Sequence, residues 1–189
     1  MSLAGVSALE MVDAAAPGAG DAVVVLGATG GIGSIALQLL ATAGATPVAV
    51  TRSVNHDYAR SLGAAETIDY ETEDVVTTIR SAHPDGVAAI FHLAGGEDEL
   101  APLVELVRPN GHVVSMLRGA DVDGLAGRGL HGVNVGTQAT TPKLERLAAA
   151  VLAGTLHRPE IKTFALADAA AALSEIAGHH VRGKLVVVP

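Results

Sequence analysis

The chain has 189 residues, 49% of them hydrophobic, enough to bury roughly 70% of the surface its unfolded form exposes, as one large domain or a domain with an appendage. It contains no cysteine, which excludes a disulfide framework, a thiolate zinc site and a cysteine nucleophile. Its formal charge of −8 offers no basic face for nucleic acid, no run approaches about 18 uninterrupted apolar residues, and residues 1–21 lack a basic leader segment, so no membrane partner and a cytoplasmic location are expected.

In chain order, short apolar runs at 22–26, 47–50, 66–69, 87–93 and 112–116 read as strands, and stretches with helical patterning at 32–43, 55–62, 72–82 and 97–107 separate them. The strands are nearly continuous in apolar residues, which a sheet buried on both faces requires. This alternation predicts an α/β fold, a doubly wound parallel sheet in the order 3-2-1-4-5-6. Residues 119–132, GADVDGLAGRGLHG, are punctuated by glycine and read as a mobile loop. Beyond them come a short strand at 133–135, a helix near 141–153 and a tail reading strand, helix, strand.

Between the first strand and the first helix of this alternation lies Ala28-Thr29-Gly30-Gly31-Ile32-Gly33, a G-x-G-x-x-G fingerprint with alanine in its first place. Gly30 lets the backbone approach a pyrophosphate, Gly33 lets helix and strand pack closely, and free N–H groups at the helix start face the anion. About 20 residues further on, where an acidic side chain would bind the ribose of NAD, stands Thr51-Arg52-Ser53. A guanidinium between two hydroxyls suits a 2′-phosphate, so NADP(H) is the expected cofactor.

The segments GDAVVVLGATGGIGSIALQLLATAGATPVAVTRS, ARSLGAAETIDY, VRPNGHVVSM and VRGKLVVVP resemble, in order and spacing, the cofactor domain of zinc-free medium-chain dehydrogenases/reductases of the quinone oxidoreductase-like branch. The resemblance implies a Rossmann domain at 1–155, followed by a segment at 156–189 that would normally return to a substrate-side domain absent from this chain. It implies that Thr29, Gly30, Gly31 and Ile32 line the pyrophosphate. Thr51, Arg52 and Ser53, joined by Tyr70, would meet the 2′-phosphate and adenosine. Leu93, Ala94 and Met116 would approach the nicotinamide and its ribose. It also implies hydride transfer to a quinone or enone-type small molecule in the intact parent, while this chain alone turns over little. His92 departs from the aspartate often found in the family, and no catalytic residue is assigned.

Other polar groups have plainer roles. Glu97-Asp98-Glu99 precedes a helix and complements its dipole, and the adjacent His179-His180 lacks a nearby third ligand and reads as surface. The glycines also fit the G-x-x-x-G-x-G spacing of short-chain dehydrogenases, at Gly27, Gly31 and Gly33. That class needs a tyrosine four residues before a lysine, and Tyr58 and Tyr70 are followed at that distance by Leu62 and Asp74. A non-catalytic redox-sensing module that binds NADPH stays open as an alternative. With half of the expected cleft missing, the apolar tail is expected to fold back on the main domain or to bury itself in a homodimer, with the edge strand at 133–135 as a second route to dimerisation.

Overall fold

A computed structural model describes residues 2–178 and 181–189, so the His179-His180 reading lies outside the described residues. Strands β1 (Ala22–Leu26), β2 (Thr46–Val50), β3 (Glu66–Ile68), β4 (Val87–His92), β5 (Val107–Ser115) and β6 (His131–Asn134) form one parallel sheet in the order β3-β2-β1-β4-β5-β6. This is the order the sequence predicts. β1 is buried along its whole length, and its alternate residues serve opposite faces of the sheet. Val23 and Val25 enter one apolar cluster, while Val24 and Leu26 enter the other. Two buried faces explain why its sequence does not alternate.

Helices α2 (Gly33–Thr42), α3 (His56–Ser61), α4 (Val75–Ala82) and α5 (Glu97–Val104) connect the strands. Asp74 caps α4 by accepting the N–H of Thr77 at 2.6 Å, and Glu99 at the start of α5 accepts the N–H of Gly96 at 2.8 Å. Both acidic groups satisfy donors that a helix start leaves unpaired.

Two regions hold helices that the sequence reading does not assign. Residues 2–15 form a helix, α1 (Ser2–Ala15), whose Val6, Ala8, Leu9 and Met11 are buried against the sheet and α2. Its small residues are buried on several sides, so it lacks the polar face that marks an ordinary surface helix. Residues 119–132 are not a continuous loop but contain α6 (Val122–Gly127), capped where Asp121 accepts the N–H of Gly124 at 3.2 Å and anchored by buried Leu125. Of the glycines that suggested a loop, Gly124 and Gly127 lie within α6, where tertiary burial outweighs their low propensity, and Gly119, Gly129 and Gly132 lie outside it.

Helix α7 (Thr141–Leu152) returns beside α1, where Arg146 donates to both carboxylate oxygens of Asp13 at 2.7 and 2.9 Å and Lys143 pairs with Glu10. The tail forms β7 (Ile161–Ala165), α8 (Ala169–Ala177) and β8 (Lys184–Val188), with β7 and β8 paired in a separate parallel ribbon. Polar ties hold this tail to the main sheet. Buried Gln38 on α2 donates to the carbonyl of His157 at 3.1 Å and accepts its N–H at 2.7 Å, and the Tyr58 hydroxyl accepts the N–H of Glu160 at 3.1 Å. Among the described residues no helix is long and apolar enough to cross a membrane.

Candidate dinucleotide site

In a parallel sheet, ligands bind beyond the carboxyl ends of the strands where the connections diverge to opposite sides. Here that point lies between β1 and β4, and the turn from Gly27 to Gly33 sits directly upon it. The turn begins at Gly27 in a left-handed conformation (φ +74°), and a Cβ there would lie 2.9 Å from the Ala94 side chain. Gly33 meets the carbonyl groups of Gly27 and Ala28 so closely that any side chain would overlap them. Gly30 is different: a Cβ would stand 3.4 Å from the nearest protein atom, the carbonyl oxygen of Gly27. The close packing therefore belongs to Gly33, and the open approach to Gly30.

Helix α2 starts from Ile32, which supplies no capping side chain. The backbone N–H groups of Ile32 and Gly33 have no backbone acceptor among the described residues, while that of Gly31 faces the Gly183 carbonyl across a strand-like bridge. A helix start left with free donors and a favourable dipole is suited to an anion. Ala28 and Thr29 are buried beneath the turn, and the Thr29 hydroxyl lies 3.0 Å from that of Thr51 at the end of β2. The donor set and the glycine cradle thus fit a diphosphate.

Of the three residues expected to meet a 2′-phosphate, only Arg52 is uncommitted. Thr51 is buried against Thr29, and Ser53 faces Asp69. The N–H of Glu71, at 3.0 Å, outweighs the effect of burial and joins the hydroxyl and amide of Ser53 in holding the Asp69 carboxyl below its ordinary range. Arg52 forms no ion pair among the described residues. Tyr70 stands half-exposed near it; burial raises the phenol pKa, and the guanidinium charge works against that rise. Leu93, Ala94 and Met116 follow β4 and β5 at the same end of the sheet. All the residues expected to bind cofactor therefore gather along one edge, from β2 across to β5.

The sequence reading gave no role to Lys184, Asp69 or Ser115, and it noted His92 without its partner. Lys184, more than 150 positions from the turn, lays its side chain over Gly31: a Cβ on that glycine would lie 2.6 Å from Cε and 3.0 Å from Nζ. It arrives because the N–H of Gly183 donates to the Thr29 carbonyl at 2.9 Å, making a strand-like bridge between Gly30 and Gly183. Asp69 was legible only as the residue before Tyr70. His92 and Ser115 meet side by side at the ends of β4 and β5, with Nδ1 and Oγ 3.0 Å apart. Nothing local in the sequence signals these meetings.

A glycine turn at the divergence point, a helix start with free donors, Lys184 over the turn and Arg52 just after β2 define a dinucleotide-binding α/β domain. The profile of the family described as zinc-binding dehydrogenase matches residues 62–187. The chain belongs to that family, as a quinone oxidoreductase-like cofactor domain of the medium-chain dehydrogenases/reductases. It is 29% identical over 186 residues to a 2-haloacrylate reductase from a Burkholderia species, covering 90% of this chain and 56% of that protein. The quinone oxidoreductase structure from Coxiella burnetii superposes with a TM-score of 0.86 at 28% identity, covering 97% of this chain and 57% of that one. The Escherichia coli quinone oxidoreductase complexed with NADPH shares the fold, with a TM-score of 0.85 at 19% identity over 99% of this chain and 63% of that one. The chain thus spans little more than half the length of the 2-haloacrylate reductase and the Coxiella enzyme. It is a domain of an NAD(P)-binding oxidoreductase family.

Proposed function

We propose that this chain is the NADP(H)-binding domain of a zinc-independent oxidoreductase whose intact form reduces a quinone or an enone-type acceptor. The observation that carries this reading is Arg52, which stands without an ionic partner among the described residues at the end of β2, where an acidic residue would favour NAD. The amides of Ile32 and Gly33 hold the pyrophosphate, with Lys184 as a counter-charge. Arg52 takes the 2′-phosphate and Tyr70 flanks the adenosine. Leu93, Ala94 and Met116 support the nicotinamide half. The bound cofactor supplies the hydride, and this chain contributes orientation and electrostatics. Zinc independence of the intact form is proposed from the resemblance to the zinc-free quinone oxidoreductase-like branch; this chain itself has no cysteine to ligate zinc.

In this reading residues 1–155 are the cofactor domain and 156–189 the segment that would return to a substrate-side domain, which completes the acceptor pocket. A cytoplasmic homodimer is the proposed form, with the edge of β6 as one route to sheet extension. Calorimetric titration with NADPH and NADH tests the cofactor assignment. NADPH is expected to bind more tightly, and Arg52→Ala to reduce that preference about tenfold or more, the equivalent of losing roughly 1.5–3 kcal/mol of charge-assisted hydrogen bonding. Equal affinities in the unmodified chain would refute the assignment.

A further inference from the structure

We infer that His92 is a positioning residue: as a neutral imidazole with its proton on Nε2, it locks together the two loops beneath the nicotinamide half of the site. The inference rests on the nucleotide-binding reading above. His92 closes β4 and is 2% exposed, so its ring acts through its neighbours. Its Nδ1 lies 3.0 Å from the Ser115 hydroxyl, and its Nε2 lies 3.2 Å from the carbonyl oxygen of Gly95.

The network determines the tautomer. Ser115 Oγ accepts the N–H groups of Leu117 and Gly119, each at 3.0 Å, which occupies both of its lone pairs. Its one proton is then left for His92, so Nδ1 must accept. A carbonyl oxygen can only accept, so Nε2 must donate to Gly95.

Each bond fixes a different loop. Gly95 follows Leu93 and Ala94 after β4, while Leu117 to Gly119 follow Met116 after β5. The His92 backbone joins in, its carbonyl accepting the N–H of Met116 at 3.1 Å. Between the two amides held by Ser115, Arg118 adopts φ +61°, a conformation uncommon for a residue with a side chain. Such a conformation persists where surrounding contacts over-determine it. Gly119 lies close against the ring, since a Cβ there would be 2.8 Å from Cε1 and 2.9 Å from Nδ1. Imidazole, serine and glycine form one unit, and both nicotinamide-side loops depend on it.

Releasing this unit would lower the population of the binding-competent arrangement and weaken the apparent affinity in proportion. The cost should fall only on a ligand that reaches both halves of the site. NADPH does so; 2′,5′-ADP occupies the adenosine half alone. Titrating both into the unmodified chain and into His92→Ala should give about a tenfold loss for NADPH and a change under about twofold for 2′,5′-ADP, with part of the loss restored in His92→Gln, which keeps one donor and one acceptor. General damage to the fold would weaken both ligands together.

An unmodified chain that binds neither ligand would refute the nucleotide reading and this inference with it. If it binds both, then an equal loss or no loss in His92→Ala would overturn the positioning role alone. Long-range nitrogen–proton NMR spectra of the unmodified chain provide a test that needs no variant. They should show His92 protonated on Nε2 and bare on Nδ1, and a ring protonated on Nδ1 would overturn the inference however the variants behave.

Discussion

Gly30 and Gly33 are three residues apart in one turn, yet substitution at each should fail differently. A Cβ at Gly30 meets only the Gly27 carbonyl oxygen, at an ordinary contact distance of 3.4 Å. Gly30→Val should therefore fold with its melting temperature nearly unchanged and lose NADPH binding, because the branched side chain takes the place of the pyrophosphate. At Gly33 the obstacle is the backbone of Ala28, 2.7 Å from the new Cβ, which cannot swing aside as a flexible side chain could. Gly33→Ala should lose about 1–3 kcal/mol of stability, lowering the melting temperature by roughly 3–10 °C. Thermal denaturation beside calorimetry separates the two. If both variants melt like the unmodified chain and bind NADPH, the turn is not a phosphate cradle.

Strands β5 and β6 form the outer end of the sheet, and a histidine pair marks where they meet. His112 and His131 are register partners whose rings stack with centroids 4.8 Å apart. Burial, with a smaller contribution from the charge of His131, lowers the His112 pKa from its ordinary value of 6.5. The sign follows from linkage. A folded-state pKa below the unfolded one means that the unfolded chain binds more protons between the two values, so stability rises with pH there. This edge should be most stable above about pH 7 and weaken as acid is added through the unfolded value, levelling off below the folded one. Urea denaturation at a series of pH values should show the trend, and His112→Gln should flatten it. An unchanged slope in that variant would remove His112 from the account.

At the scale of the whole chain, the β7–β8 ribbon and α8 leave apolar side chains open to water, including Leu173 at 67% exposure and Val187 at 41%. The tail is tied to the main sheet through Gln38, Tyr58 and Thr29, but those ties are polar and leave this face uncovered. Apolar patches of this kind on a lone domain favour association, so light scattering should report the mass of a dimer. Catalysis is a separate matter. Under the proposal that a substrate-side domain completes the acceptor pocket, this chain by itself would forgo up to about 7–11 kcal/mol of positioning advantage. The chain should bind NADPH yet turn over quinones and enones far below about 1 s⁻¹ in a steady-state assay. Turnover at that rate or above would show that the chain is catalytically sufficient by itself.

Tyr70 entered only through the family resemblance, whereas the sheet order, the turn between β1 and α2 and the places of Thr51 and Arg52 were legible in the sequence itself. Each depends on short-range signals: apolar runs bounded by glycine, a helix start directly after a strand, and a fixed count of residues from the turn to the end of the next strand. Helix α1 was not legible, because alanine and glycine buried on several sides leave no polar stripe to read. Nor was α6, whose glycines imitate a loop until the burial of Leu125 decides otherwise. Lys184 over Gly31 and His92 against Ser115 belong wholly to the tertiary structure. The first meeting needs β8 to arrive at the turn, and the second needs β4 and β5 to pair in one particular register. Such contacts form only when distant segments pack together, and local periodicity carries no record of which distant residue will arrive.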